Sequence, residues 1–305
     1  MSGEKNRILT GNLACFGAYL IFGFNIVFCK NIANNGMVSP MALFCMRSIG
    51  ALALFWLASL FSGHEEHIEK KDLWKIALAS FLGLFLTQLS FLKAITVTTA
   101  VDASILGLLC PVMTMIVAAV ILKDRITAHG VTGLVISFAG VLFLVLNTVS
   151  VHSGADRTSL GGILLMLVNT TSFACYVGAF KPLIQKYSVV NFMKWMFLFS
   201  TAYALPFSMK DLMSIDYAAI PANITWQILY VIVGATFISY FLIPVGQQRI
   251  KPMLVSMYAY VQPIVAMCIS LAIGLDTMTW AKAIATVMVF AGVSIVNFSP
   301  KKIKI

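Results

Sequence analysis

Ten runs of roughly 20 apolar residues, separated by short polar linkers, make up most of this chain. They fall at about 11–32, 40–62, 73–94, 100–122, 129–149, 159–181, 192–209, 224–247, 253–274 and 279–298. A helix of about 20 apolar residues crosses the hydrocarbon core of a bilayer. Barrel strands would be half as long and would alternate in polarity, whereas these runs are apolar all round. In lipid the backbone amides have no water to bond, and a helix satisfies them within its own segment. The expectation is an all-α integral membrane protein of ten transmembrane helices. The seventh run is the weakest, because it contains Lys194 and Pro206.

Composition points the same way. Of the 305 residues, 60% are hydrophobic and 10% charged, against about 25% charged in a soluble domain. A soluble fold of this length could not cover its surface with so few charges. The net charge of +10 would suggest nucleic acid in a soluble protein, but no basic patch with interleaved aromatics exists here, so nucleic acid is set aside. With the N-terminus in the cytoplasm, fourteen basic residues outside the runs face inward, Arg7, Lys70, Lys123, Lys186 and Arg249 among them. Five face outward: Lys30, Lys93, Arg157, Lys210 and Lys282. That asymmetry predicts a multi-pass protein of the plasma membrane with both termini cytoplasmic. The run from Gly11 is long enough to span and reads as an uncleaved first helix rather than a signal peptide.

The chain also repeats itself. Under a shift of 152 residues, Ser104–Val141 falls on Ser256–Val293, and eleven of the 38 aligned positions are identical. Pro111 meets Pro263, Asp124 meets Asp276, and Phe138-Ala139-Gly140-Val141 meets Phe290-Ala291-Gly292-Val293. A shift of 151 places Gly11 on Gly162, Phe22 on Phe173 and Lys30 on Lys181. Each unit, 1–150 and 151–305, holds five runs. Five is odd, so the second copy enters the membrane from the other side. Inverted repeats of this kind are common in secondary transporters, because two similar halves can exchange conformations at similar energy.

These residues resemble the EamA-type branch of the drug/metabolite transporter superfamily over nearly the whole chain. The first-helix pattern is similar in FGFNIVFCK (Phe22–Lys30), with Phe22 where the family usually has Trp. Ser39-Pro40 with Arg47 resembles the second-helix pattern, and Leu92-Lys93-Ala94 through Pro111 to LKDRIT (Leu122–Thr127) and Gly133 resembles the third-to-fifth-helix block. In the second half GQQRIKP (Gly246–Pro252), Tyr258 and Gln262-Pro263 match the corresponding block. Asp124 and Asp276 stand where the family usually has Glu. The resemblance implies ten helices, a central cavity shared by both halves, and efflux as the commonest direction. It leaves the substrate among amino acids, other metabolites and drugs.

Polar groups inside spans are costly, and each is a functional candidate. Arg47 reads as a binding group for an anionic part of a substrate, or as a tie to backbone carbonyls. Asn25, Gln88, Tyr176, Tyr240, Tyr258 and Gln262 complete the expected cavity. Gln88 and Tyr240 are equivalent under the repeat, and Tyr258 and Gln262 share a helix face. Lys30 is a gate charge or a snorkelling side chain. Pro111 and Pro263 are expected mid-helix, as kinks or hinges. Asp124 and Asp276 read as caps of the helices that follow them or as coupling carboxylates, and Asp102 is a further candidate for coupling.

The remaining polar features are bland. His64 and His67, in GHEEHIEKKD (Gly63–Asp72), read as part of a solvated loop rather than a metal site. The six cysteines form no Cys-x-x-Cys pair and read as apolar packing. There is no His-Glu-x-x-His, no Gly-x-Ser-x-Gly and no phosphate-binding loop, so no enzyme activity, metal or cofactor is expected. The expected partners are the lipid bilayer and a small-molecule substrate. The function expected is gradient-driven export of amino acids or similar small metabolites by alternating access. The alternatives are uptake or exchange of another metabolite or drug, and a membrane scaffold without transport.

Overall fold

The computed structural model describes residues 2–61, 68–121, 128–151, 158–250 and 258–298. Every regular element among them is helical. The long rods are α1 (Ser2–Asn35), α2 (Pro40–Phe61), α7 (Ala128–Val151), α8 (Leu160–Ala179), α10 (Val189–Met213) and α14 (Trp280–Phe298). Two further rods are built in sections. α3 (Lys70–Ser80) runs through a π-helical stretch, Phe81–Leu86, into α4 (Thr87–Thr96). α11 (Ala222–Tyr230) runs through a second one, Val231–Ile238, into α12 (Ser239–Arg249). Shorter pieces are α5 (Ala100–Gly107), α6 (Cys110–Ile121), α9 (Lys181–Lys186) and α13 (Val261–Ala272).

Five rods are long and apolar enough to cross a membrane: Asn6–Asn35, Pro40–Phe61, Lys70–Thr96, Leu160–Ala179 and Ala222–Arg249. Shorter apolar helices accompany them. The outward surface fits lipid as its solvent. Leu60, Phe61, Leu142, Leu164, Phe207 and Val287 are all exposed, which water would penalise. Trp74, Trp226 and Trp280 stand exposed near the starts of α3, α11 and α14, the level at which indole rings favour a membrane interface. α1 ends where Gly36 takes φ +74°, the left-handed turn a side chain resists and a helix C-terminus commonly uses.

The packing carries a regularity. α2 lies against α10, and α7 against α14. α1 packs on α12 and α13, while α8 packs on α4 and α6. Exchanging elements about 152 residues apart maps α2–α10 and α7–α14 onto themselves, and interchanges α1–α12 with α8–α4 and α1–α13 with α8–α6. Close contacts follow the same exchange. A Cβ on Gly11 would lie 2.6 Å from Ile250, and one on Gly162 would press on Thr98 at least as closely. A Cβ on Gly140 would meet Ala285, Met288 and Val289, and one on Gly292 would meet Gly133 and Ser137. The last residues of the two π-helical stretches, Leu86 and Ile238, are themselves 152 apart.

The π-helical stretches have a local cause. A wider turn leaves carbonyls without their usual amide, and hydroxyls take them up. Thr87 Oγ1 donates to Leu82 O at 2.7 Å, Thr236 Oγ1 to Val231 O at 2.7 Å, and Ser239 Oγ to Gly234 O at 3.3 Å. Ser172 on α8 also donates to Leu82 O, and Asn169 to Thr87 O. Side chains of a neighbouring helix thus help to stabilise the irregular backbone.

The helical runs that hold the two repeated prolines break just ahead of each one, at Leu108–Leu109 and at Ala259–Tyr260, so that Pro111 is the second residue of α6 and Pro263 the third of α13. First-turn amides lack an intrahelical partner in any case, so proline costs little there. The prolines inside helices are Pro206 in α10 and Pro244 in α12.

Candidate functional site

Five helices and one π-helical stretch bring polar groups together. α1 supplies Asn25, and Cys29 one turn later donates its Sγ–H to Asn25 Oδ1 at 3.5 Å. α2 supplies Arg47, only 3% exposed. Its Nε donates to Thr236 Oγ1 at 2.9 Å, and Nη1 reaches Cys29 Sγ at 3.9 Å. The π-helical stretch before α12 therefore places the acceptor for the guanidinium. α4 supplies Gln88, whose Nε2 donates to the Tyr240 hydroxyl at 3.2 Å. Tyr240 on α12 is held edge-on between Phe22 and Phe197, each with ring centroids 5.7 Å away. Ser48, beside Arg47, meets Ser200 of α10 at 3.3 Å.

Two features of this cluster are chemically incomplete. Among the described residues no carboxylate lies within ion-pairing distance of Arg47. A buried guanidinium without a counter-ion is costly, about 3 kcal/mol on insertion scales at a helix centre. Gln88 Oε1 is also buried and has no hydrogen-bond partner, although buried polar atoms are nearly always paired. A cation and an acceptor thus stand buried within the bundle, each short of a partner among the described residues.

Other expected residues lie around this cluster rather than in it. The Tyr176 ring is buried against Gly83, where a Cβ would come within 2.5 Å of it. Tyr258 packs with Ala18, Tyr19 and Ile243. Gln262 lies where α13 crosses α1, its carbonyl 3.0 Å from the position a Gly23 Cβ would take. Lys30 donates to Ile95 O at 3.2 Å, where a cation suits the carbonyl end of α4. Asp124, with His64 and His67, lies outside the described residues. Among the described residues no cluster of three His, Cys, Asp or Glu has the makings of a metal site. Cys15, Cys29 and Cys45 are buried, and Cys268 is exposed.

Ionic networks occupy both ends of the bundle. At the end carrying the N-terminus, Asp72 accepts from Lys186 at 2.6 Å, Tyr187 at 2.8 Å and Lys75 at 3.0 Å. Glu69 accepts from Lys186 at 2.7 Å. Its hydrogen bond to Asp72 pushes the Lys186 ammonium above the usual lysine range, and Lys186 in turn holds the Glu69 carboxyl below the usual carboxylate range. Beside them is a cleft of about 440 Å³ lined by Arg7, Gln185, Lys186, Tyr187, Ser188 and Gln248.

At the opposite end, Lys282 Nζ bonds Asp276 Oδ1 at 2.6 Å and Thr99 Oγ1 at 3.4 Å, and lies 3.9 Å from Asp102 Oδ1. Thr158 donates to Asp102 Oδ2. Asp276 is a cap, but of α5, whose Val101 N–H it accepts at 3.2 Å. The helix after Asp276 begins instead with Thr279, which accepts from Lys282 N.

Sequence reasoning misses Thr236, Asp72, Lys186 and Lys282 as members of these clusters. Lys282 reads as a linker charge, whereas it is 7% exposed. A signal for it exists: it follows Asp276 and Thr279 at spacings of six and three, so all three groups can meet at one helix start. Thr236 carries no signal, because a threonine in an apolar run usually bonds its own helix.

Helices long and apolar enough to cross a membrane, with polar groups buried among them, make this a multi-pass membrane protein of the kind to which transporters belong. Within that class, the chain belongs to the EamA-like transporter family, whose pattern matches residues 9–146 and again 160–298. An uncharacterized transporter of Bacillus subtilis, YcxC, is 25% identical over 294 residues, covering 92% of this chain and 91% of its own. A second from that organism, YetK, is 22% identical and covers 77% of this chain and 71% of its own. YicL, an uncharacterized inner membrane transporter of Salmonella typhimurium, is 24% identical and covers 76% of each chain. One solved crystal structure, 16% identical, matches with a TM-score of 0.65 over 93% of this chain and 95% of its own, a likeness of fold.

Proposed function

We propose that this transporter exports amino acids or similar small metabolites across the plasma membrane, driven by a gradient. It works by alternating access between two inverted repeats, 1–150 and 151–305, of five helices each, with both termini cytoplasmic. The observation that carries the reading is Arg47, a buried guanidinium with a hydroxyl and a thiol for partners but no carboxylate. A substrate carboxylate supplies the missing counter-charge, and the fork of the guanidinium suits it. Gln88 Oε1 accepts from a donor on the same solute, such as an ammonium. Asn25 and Tyr240 are the other polar groups this reading assigns to the site. The reciprocal packing of elements about 152 residues apart supports two halves that exchange conformations.

The test is counterflow of labelled amino acids and other small metabolites in liposomes holding the purified protein. Arg47→Ala is expected to abolish exchange, and Gln88→Ala to raise KM by tenfold or so, about 1.4 kcal/mol of binding. Both variants must remain monodisperse and helical. Exchange that survives Arg47→Ala moves the site elsewhere, and preference for uncharged solutes removes the carboxylate from the reading.

A further inference from the structure

The network at the end away from the N-terminus contains two carboxylates and one ammonium. With all three ionised it carries a net negative charge in a place where Asp102 is fully buried and Lys282 nearly so. The single cation is committed elsewhere: Lys282 hydrogen-bonds Asp276 and Thr99, and stands off from Asp102 at 3.9 Å. Helix α5 offers little relief, although Asp102 lies in its first turn. Val101 N–H is given to Asp276, and the N–H of Asp102 itself to Thr99 Oγ1. The Asp102 side chain is left with the Thr158 hydroxyl on Oδ2 and nothing on Oδ1.

We propose that Asp102 is a proton-binding site, holding one proton on Oδ1 in the state seen here, and that it couples transport to a proton gradient. A neutral carboxyl removes the excess charge, so that Lys282 and Asp276 form a balanced pair beside it. The coupling half rests on the transport reading above. A metal cation fits poorly, because hard cations take several oxygen ligands and here an ammonium occupies the approach. The surrounding elements bring no other counter-charge among the described residues. α8 and α13 present no charged side chain to α5, Lys93 on α4 is exposed, and Lys30 on α1 bonds Ile95 O.

The position suits coupling. Thr158 precedes α8, and Asp276 and Lys282 belong to the turn before α14 and to its start, so the network joins α5 to two elements of the second half. Opening this end parts Asp102 from Thr158 and exposes its carboxyl to water. The O–H bond then breaks, the proton passes to solvent, and the carboxylate remains. Closing the end requires the proton back.

The test is pH-difference infrared spectroscopy of the protein in lipid nanodiscs, without any solute. The expected result is a protonated-carboxyl band at neutral pH that disappears in Asp102→Asn. Thr158→Val leaves the acid in place but removes a donor to its carbonyl, so the band should shift, which serves where Asp102→Asn does not fold. Absence of the band in the native protein, its survival in Asp102→Asn or its loss in Asp276→Asn alone overturns the assignment. Flux in liposomes tests the coupling: a pH gradient should accelerate net movement of solute in the native protein and not in Asp102→Asn. A band with no exchange of any solute would sink the transport reading and leave the proton site standing, and exchange indifferent to pH would sink the coupling.

Discussion

Arg47 shows how a single residue is held at high cost. Its charge is kept inside by contacts from α1 and from the π-helical stretch before α12, and Thr236 is the shortest of them. Thr236 also donates to Val231 O, so one hydroxyl serves the guanidinium and the irregular backbone together. Thr236→Val keeps the shape and deletes both bonds. A hydrogen bond to a charged group contributes about 1.5–3 kcal/mol, and leaving Arg47 less satisfied adds to that. We expect a clear drop in the thermal midpoint in detergent, with a weaker grip on anionic solutes in counterflow. A midpoint equal to the native one would mean that the arginine finds another acceptor. Arg47 is legible from sequence as a charge in an apolar run, but its acceptor is not, because that choice depends on where a helix from the other half lies.

At the level of elements, the crossing of α7 and α14 depends on two glycines. A Cβ on Gly292 would sit 2.5 Å from Gly133 O and 2.7 Å from Ser137 N, both backbone atoms. Backbone cannot rotate away as a side chain can, so Gly292→Ala must push the helices apart. Such overpacking costs about 1–3 kcal/mol. Gly17 in α1 is the control: its Cβ would meet only Leu242 at 3.8 Å. There the helix gains about 0.5–1 kcal/mol from alanine over glycine. Thermal unfolding of both variants should therefore move in opposite directions, and equal shifts would refute the close crossing. The FAGV blocks stand out as a repeat in the order of the residues alone. That Gly140 packs on Ala285, Met288 and Val289 and Gly292 on Gly133 and Ser137 does not, since periodicity reports a buried face but not its partner.

For the molecule as a whole, the equivalence of positions 152 apart has a geometric consequence. Two equivalent residues that touch each other must lie close to the pseudo-two-fold axis relating them. Ser48 and Ser200 are such a pair, and Gln88 and Tyr240 are another. An axis that relates two exchanging halves is the place that moves least. A disulfide between Ser48→Cys and Ser200→Cys, made with the native cysteines replaced, should therefore form and leave exchange intact. Exchange that stops on oxidation and returns on reduction would show that α2 and α10 slide past each other at this level. Gln88 and Tyr240 also belong to the central cluster, so under the proposed function a solute held there would sit close to that axis.

Apolar runs, their number and their internal repeat are properties of the chain read along its length, and lipid solvation forces each run into a helix. That much, together with the EamA-like family pattern and the candidates Arg47, Gln88 and Tyr240, is present in the order of the residues. What only the tertiary structure decided are contacts between residues far apart in the chain: Thr236 under Arg47, Lys282 beside Asp102, and Asp276 on the first turn of α5. The physical reason is that a buried charge or an orphan carbonyl states a need without naming its partner. Many polar groups in the chain meet that need equally well, and the packing of the two halves selects one of them.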